Sequence, residues 1–188
     1  MPPKVKITKE DIVQTAMDLV RTSGSQSINA RAIAAALICS TQPIFSNFAT
    51  MAELQDAVIR AAYERYAAFL TKEVSSGKYP PYKAYGMAYV RFAEEEKELF
   101  KLLFMRDRTE EGPSLSPDFE ESVQMIMKSN QISHEKATIM HLETWTCVHG
   151  IGAMIATSFL SFDWDMISNM LSDVYLGIRA RHLSEGTT

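Results

Sequence analysis

Few side chains in this 188-residue sequence stand at spacings that do chemistry. His134-Glu135 opens like the zinc pattern His-Glu-x-x-His, but position 138 is Thr. Cys147 and His149 are two residues apart, which on a helix points them to different sides. A di-iron bundle needs Glu-x-x-His pairs, and none of the four His has a Glu three residues before it. Cys-x-x-Cys, Gly-x-Ser-x-Gly and Gly-x-Gly-x-x-Gly are all missing. The Glu94-Glu95-Glu96 run reads as a solvated face. The expectation is a protein that is no enzyme and holds no metal and no cofactor.

A different chemistry is written in Asn29–Leu54, NARAIAAALICSTQPIFSNFATMAEL. It reads as a short helix through Arg31, Ile33, Ala34 and Leu37, a tight turn at Leu37–Cys39, and a second short helix. In that second helix Thr41, Gln42, Ser46 and Asn47 are expected to face out, with Ile44, Phe45 and Phe48 facing in. A helix-turn-helix presents the start of its second helix to the major groove of DNA, where Gln, Asn and Thr can bond base edges. The same spacing also suits an ordinary helical hairpin.

The elements that must hold this segment are all helical. Thr8 is a good N-cap, with Asp11 three residues on, and Ile12, Ala16, Leu19 and Val20 form an apolar stripe ended by Gly24. Asn29 caps the second helix and Ser40 the third, with Pro43 in the third helix's first turn, where its missing N–H costs nothing. Thr50 caps a long fourth helix with Leu54, Val58 and Ala61 on one face. After the turn-rich SSGKYPPYK come helices near Tyr82–Glu95 and Lys97–Met105, then the breaker RTEEGPSLSP. A helix near Asp118–Ser129 follows, then one capped by Ser133 and running to about Phe159, and a last one capped by Asp163. The fold class is all-α, about nine helices, with a three-helix head on a larger body. The expected divisions are a DNA-binding head over 1–50, a connecting helix over 51–76 and a ligand-binding, dimerising domain over 77–188.

Composition agrees. Apolar residues make up 46% of the chain, enough for a real core. The net charge is −4, yet residues 1–60 carry +1 and the remainder −5, a modestly basic head on an acidic body. The longest apolar stretch, Trp145–Leu160, is interrupted by His149 and two glycines, so no membrane span is expected. Two Cys make no disulfide framework, and the charged start MPPKVKITKED is unlike a secretory signal. A cytoplasmic protein is expected.

The first 65 residues resemble the DNA-binding head of the TetR family of bacterial transcriptional regulators. The likeness runs through Ile12, Ala16, Leu19 and Gly24, then Asn29-Ala30-Arg31-Ala32-Ile33-Ala34, then Ser40, Ile44-Phe45-Ser46-Asn47-Phe48 and Glu53-Leu54. Trp145 with His149-Gly150 is similar to the Trp-x-x-x-His-Gly signature in the regulatory domain of one TetR subgroup. The resemblance implies that Arg31, Thr41 and Gln42 approach bases or nearby phosphates and that Asn47 stands where the family has a phosphate-binding His. Lys4, Lys6, Asn29, Ser40 and Ser46 are expected in the same DNA-binding set. Three positions depart from the pattern. Phe45 replaces a phosphate-binding Tyr, Met51 replaces the Lys opening the fourth helix, and Ile38 replaces the turn glycine. A β-branched residue resists positive φ, so either the turn has another shape or Ile38 is strained.

A two-fold operator reader must dimerise, with heads about 34–36 Å or a multiple apart. The last two helices are the candidate homodimer surface, through Gly150, Ala153, Ile167, Leu171, Val174 and Ile178, although that stripe is equally suited to internal core. Met87, Phe92, Phe100, Leu103, Phe104 and Met125, with Trp145 and His149 as polar contacts, are candidates for a cavity holding a small-molecule inducer. Met and aromatic residues at helical spacing are as often core. The leading expectation is thus a ligand-responsive dimeric repressor that binds a palindromic double-stranded DNA operator. The alternative is a helical small-molecule-binding or adaptor protein that keeps the fold with weak or no DNA binding.

Overall fold

In a computed structural model the chain is described over residues 7–109 and 118–184. These residues form nine α-helices, a 3-10 turn at Ser25–Ser27 and no strand. The helices are α1 (Lys9–Ser23), α2 (Ala30–Ala36), α3 (Gln42–Asn47), α4 (Met51–Ser75), α5 (Pro81–Glu95), α6 (Lys97–Phe104), α7 (Phe119–Asn130), α8 (His134–Ala156) and α9 (Trp164–Ser184). The all-α expectation is met. None of these helices is long and apolar enough to cross a membrane.

Local side chains start and stop most helices. The Thr8 hydroxyl accepts from the Asp11 N–H at 3.1 Å while the Asp11 carboxylate accepts from the Thr8 N–H at 2.9 Å, a complete capping box. Asn29, Thr50, Ser133 and Asp163 each accept a backbone N–H three residues on. Gly24 ends α1 at φ +78°, a conformation its lack of Cβ permits. One expected cap differs. Thr41 rather than Ser40 precedes α3, and its αR backbone leaves the carbonyl, not the side chain, to accept the Ile44 and Phe45 N–H groups. Helix α8 stops short of Phe159, because Ser158 turns to φ +56° and the Phe159 N–H bonds back to Met154.

The chain gathers into two compact units, one from Met1–Tyr66 with Glu96–Arg106, the other from Ala67–Glu95 with Asp107–Thr188. The boundaries read from the sequence are redrawn: α4 leaves the first unit after Tyr66, and α6 packs with α1 instead of joining the body.

The first unit buries Ile12, Ala16 and Val20 of α1, Ile33 of α2, Ile44 of α3, Leu54, Val58 and Ala62 of α4, and Leu99, Phe100 and Leu103 of α6. Ala62, not the expected Ala61, continues the buried face of α4. Phe104 closes this core by edge-on contacts to Tyr66 at 5.4 Å and Tyr63 at 6.1 Å. Glu96, just before α6, corrects the reading of the Glu run as a solvated face. Glu94 and Glu95 are exposed, but Glu96 is buried and takes Arg21 Nε at 2.8 Å, Arg21 Nη2 at 3.1 Å and Arg65 Nε at 2.9 Å. A buried carboxylate persists only when paired in this way.

In the second unit α5 and α8 lie side by side, with α7 and α9 against α8. Tyr82 meets His141 and, one step further along both helices, Tyr89 meets His149, so α5 and α8 run in the same direction. Arg91 of α5 bonds Glu73 at 3.1 Å and lies 4.2 Å over the Trp164 ring of α9.

Candidate nucleic-acid interface

The interface is built on α2, the turn after it, and α3. Helix α2 is only seven residues long and ends in a Schellman motif: the Cys39 N–H bonds Ala34 O at 2.9 Å and the Ile38 N–H bonds Ala35 O at 3.1 Å. That motif needs a left-handed residue between them, and Ile38 supplies it at φ +52°. The turn therefore keeps the shape a glycine would give it, and Ile38 carries the strain, about 1–2 kcal/mol for a β-branched side chain. Its side chain is 94% exposed, so no burial offsets that cost.

Helix α3 follows with Ile44 and Phe48 buried. Phe45, expected to face in, is 52% exposed. Ile44 and Phe48, four apart, share the inner face, whereas Phe45 stands one residue, about 100°, round the helix from Ile44. Gln42 is exposed at the first position of α3, and Thr41 before it is half-buried. Ser40 is exposed. Arg31, on the outer side of α2, is exposed and bonds none of the described residues.

Three expected contacts are committed internally. Asn29 Oδ1 caps Ala32 at 2.9 Å and its Nδ2 donates to Ser27 O at 3.2 Å. Ser46 donates its hydroxyl hydrogen to Gln42 O at 2.9 Å. Asn47 is half-buried, its Nδ2 donating to Pro43 O at 2.8 Å and Ile7 O at 3.4 Å, so the amide meant for a phosphate is already used. Lys4 and Lys6 lie outside the described residues.

Between the start of α1 and the α2–α3 turn runs a groove of about 730 Å³. Ile7, Asp11, Gln14 and Thr15 form one wall; Leu37, Ile38, Cys39, Ser40, Gln42 and Pro43 form the other. Thr8 holds the Asp11 carboxyl below its ordinary range, chiefly by its backbone N–H and then by its hydroxyl. Lys9, near the start of α1, is paired with Glu53 at 3.3 Å and lies 4.9 Å over the Phe48 ring. The described residues that line the groove are polar and apolar by turns, and none of them is Lys or Arg.

The candidate ligand residues are split. Phe100, Leu103 and Phe104 sit on α6 in the first unit; Met87, Phe92, Met125, Trp145 and His149 belong to the second, so no one unit gathers all eight. Met87 and Phe92 are wholly buried in packing, whereas Met125 is half-buried. His149 Nδ1 is 2.8 Å from the Tyr89 hydroxyl and its ring is stacked on Trp145 at 4.9 Å. Burial pushes the His149 imidazole below its ordinary pKa. The matching pair, Tyr82 and His141, carries no signal that sequence spacing could have revealed, because its members are 59 positions apart.

The candidate dimer stripe turns inward. Ile167 and Leu171 are buried, and Ile178 packs against the cluster of Phe119, Val123, Ile126, Ala137 and Met140; Val174 is half-buried. The apolar residues that α8 and α9 expose are instead Ile139, Leu142, Trp145, Met166 and Leu176. Gly150 and Gly177 share this outward quality, since a Cβ at either would meet nothing within 4 Å, and Ala153 is half-buried.

Among the described residues no group of three or more His, Cys, Asp or Glu is placed to hold a metal. Compared with known families and curated proteins, the chain matches no family model and no curated relative.

Proposed function

We propose that this chain is a ligand-responsive, dimeric transcriptional repressor of the TetR type, and that it reads a palindromic operator through the edge formed by α2 and α3. The observation that carries the reading is Gln42, exposed at the start of a helix whose preceding turn and inner face are fixed by the rest of the head. Gln is suited to a bidentate bond with adenine N6 and N7. Arg31, unbonded to the described residues, is free for a phosphate. Dimerisation is assigned to the outward side of α8 and α9, where Leu142, Met166 and Leu176 are exposed beside glycines that let a second copy approach closely. An inducer is assigned to the second unit, near Trp145 and His149, and the protein to the cytoplasm.

The test is retardation of duplexes selected by the protein from a random pool. Changing Thr41 and Gln42 together to Ala is expected to weaken binding to the selected duplex at least tenfold and to leave binding to unrelated duplex nearly unchanged. Equal binding by the double variant contradicts the assignment of the reading edge. A second reading, a helical ligand-binding or adaptor protein that keeps the fold without DNA binding, draws on the pairing of Lys9 with Glu53 and on Asp11 in the groove. It predicts that no duplex is enriched.

A further inference from the structure

We propose that Ile38 is a specificity-determining residue of the reading edge, contacting the C5 methyl group of thymine in the major groove. The inference rests on the DNA-reading role proposed above. Ile38 holds a left-handed backbone that glycine adopts freely, and its side chain is 94% exposed. Neither the turn nor the core of the first unit gains from it, so the reason for Ile lies outside the folded chain.

Its position names the partner. Ile38 shares one wall of the groove with Ser40 and Gln42. Asp11 on the opposite wall is a carboxylate whose ionised form Thr8 stabilises, and it repels a phosphate from the same space. A base edge enters beside Asp11 at less electrostatic cost than the sugar–phosphate backbone. The apolar group projecting from base edges in the major groove is the thymine methyl. An A·T pair offers both halves of this wall at once, adenine N6 and N7 to Gln42 and the methyl to Ile38. Phe45, one turn beyond Gln42 and half-exposed, extends the apolar flank along α3.

The experiment uses a duplex selected by the full chain from a random pool, with each thymine replaced in turn by deoxyuridine, which removes only the methyl. Binding is followed by fluorescence anisotropy for the wild type and for Ile38→Gly, and a thermal melt confirms that the variant is folded. The expected result is a loss of about fourfold at one or two thymines per half-site for the wild type, the size for uncovering one methyl, and none at the same thymines for Ile38→Gly. Indifference of the wild type to deoxyuridine, or an undiminished loss in Ile38→Gly, overturns the inference while leaving the DNA-reading role intact. Failure to enrich any duplex overturns both.

Discussion

The hydroxyl of Tyr82 lies 2.9 Å from Nδ1 of His141, inside the second unit, with the Phe119 ring edge-on to the imidazole at 4.7 Å. Burial raises the Tyr82 phenol well above its ordinary range, so the phenol keeps its proton. Burial also lowers His141 from an ordinary 6.5 to about 4. The folded state therefore binds this proton less readily than the unfolded chain does. Stability from His141 is fully present above pH 6.5 and is lost as pH falls from 6.5 to about 4, a change of about 3 kcal/mol at most. Urea unfolding between pH 7 and 4 checks this. His141→Gln is expected to flatten the slope in that window, although His149, also lowered, contributes in the same direction.

Ile38→Gly is expected to stabilise the protein. The substitution relieves a β-branched side chain at φ +52° and uncovers nothing, since Ile38 is already exposed. Glycine's greater freedom in the unfolded chain returns part of that gain, leaving about 0.5–1 kcal/mol. A rise in Tm and in the urea midpoint with an unchanged slope is the expected signature. A fall in Tm contradicts the strain assigned to this turn.

Glu96 makes the opposite prediction. Removing its carboxylate leaves Arg21, itself under a third exposed, without its bidentate partner, and Arg65 without its own. Because both guanidinium groups retain some water, the cost is expected near 2 kcal/mol for Glu96→Ala, below the usual figure for a fully buried pair. Glu96→Gln retains the shape and part of the hydrogen bonding, and falls between the two. Chemical denaturation of the three proteins at pH 7 orders them.

Gly177→Ala separates folding from association. A Cβ there meets nothing within 4 Å, so the helix gains up to about 1 kcal/mol from the loss of glycine. If α9 packs against its copy, the added methyl enters the shared surface and weakens the dimer. Tm extrapolated to low concentration is expected to rise while the dimer dissociation constant increases several-fold in sedimentation equilibrium. A dissociation constant that stays at its wild-type value removes Gly177 from the interface.

The caps at Thr8, Asn29, Thr50, Ser133 and Asp163 were legible because capping is local: a side chain bonds a backbone N–H three residues away. The turn at Ile38 was legible as a local conflict between a β-branched residue and a left-handed position, but not how the conflict resolves: the turn keeps its shape, with Ile38 at φ +52°. Periodicity revealed that Ile167, Leu171 and Ile178 form a stripe, but period carries no information about what covers it, and here the unit's own core does. Phe45 was misplaced because neighbouring residues stand about 100° apart round a helix, and Ile44 with Phe48, four apart, takes the inner face. Glu96 and the Tyr–His pairs were invisible because each is made by partners more than 30 positions apart, whose meeting depends on packing and not on spacing.

The most direct measurement is the mass of the complex between the full chain and its selected duplex, taken by analytical ultracentrifugation with intact and half-length palindromes. Two chains bound to the intact site, and an affinity at least a hundredfold lower for the half-site, are the results expected of paired reading edges. One chain per duplex, or equal affinity for the half-site, would contradict the account.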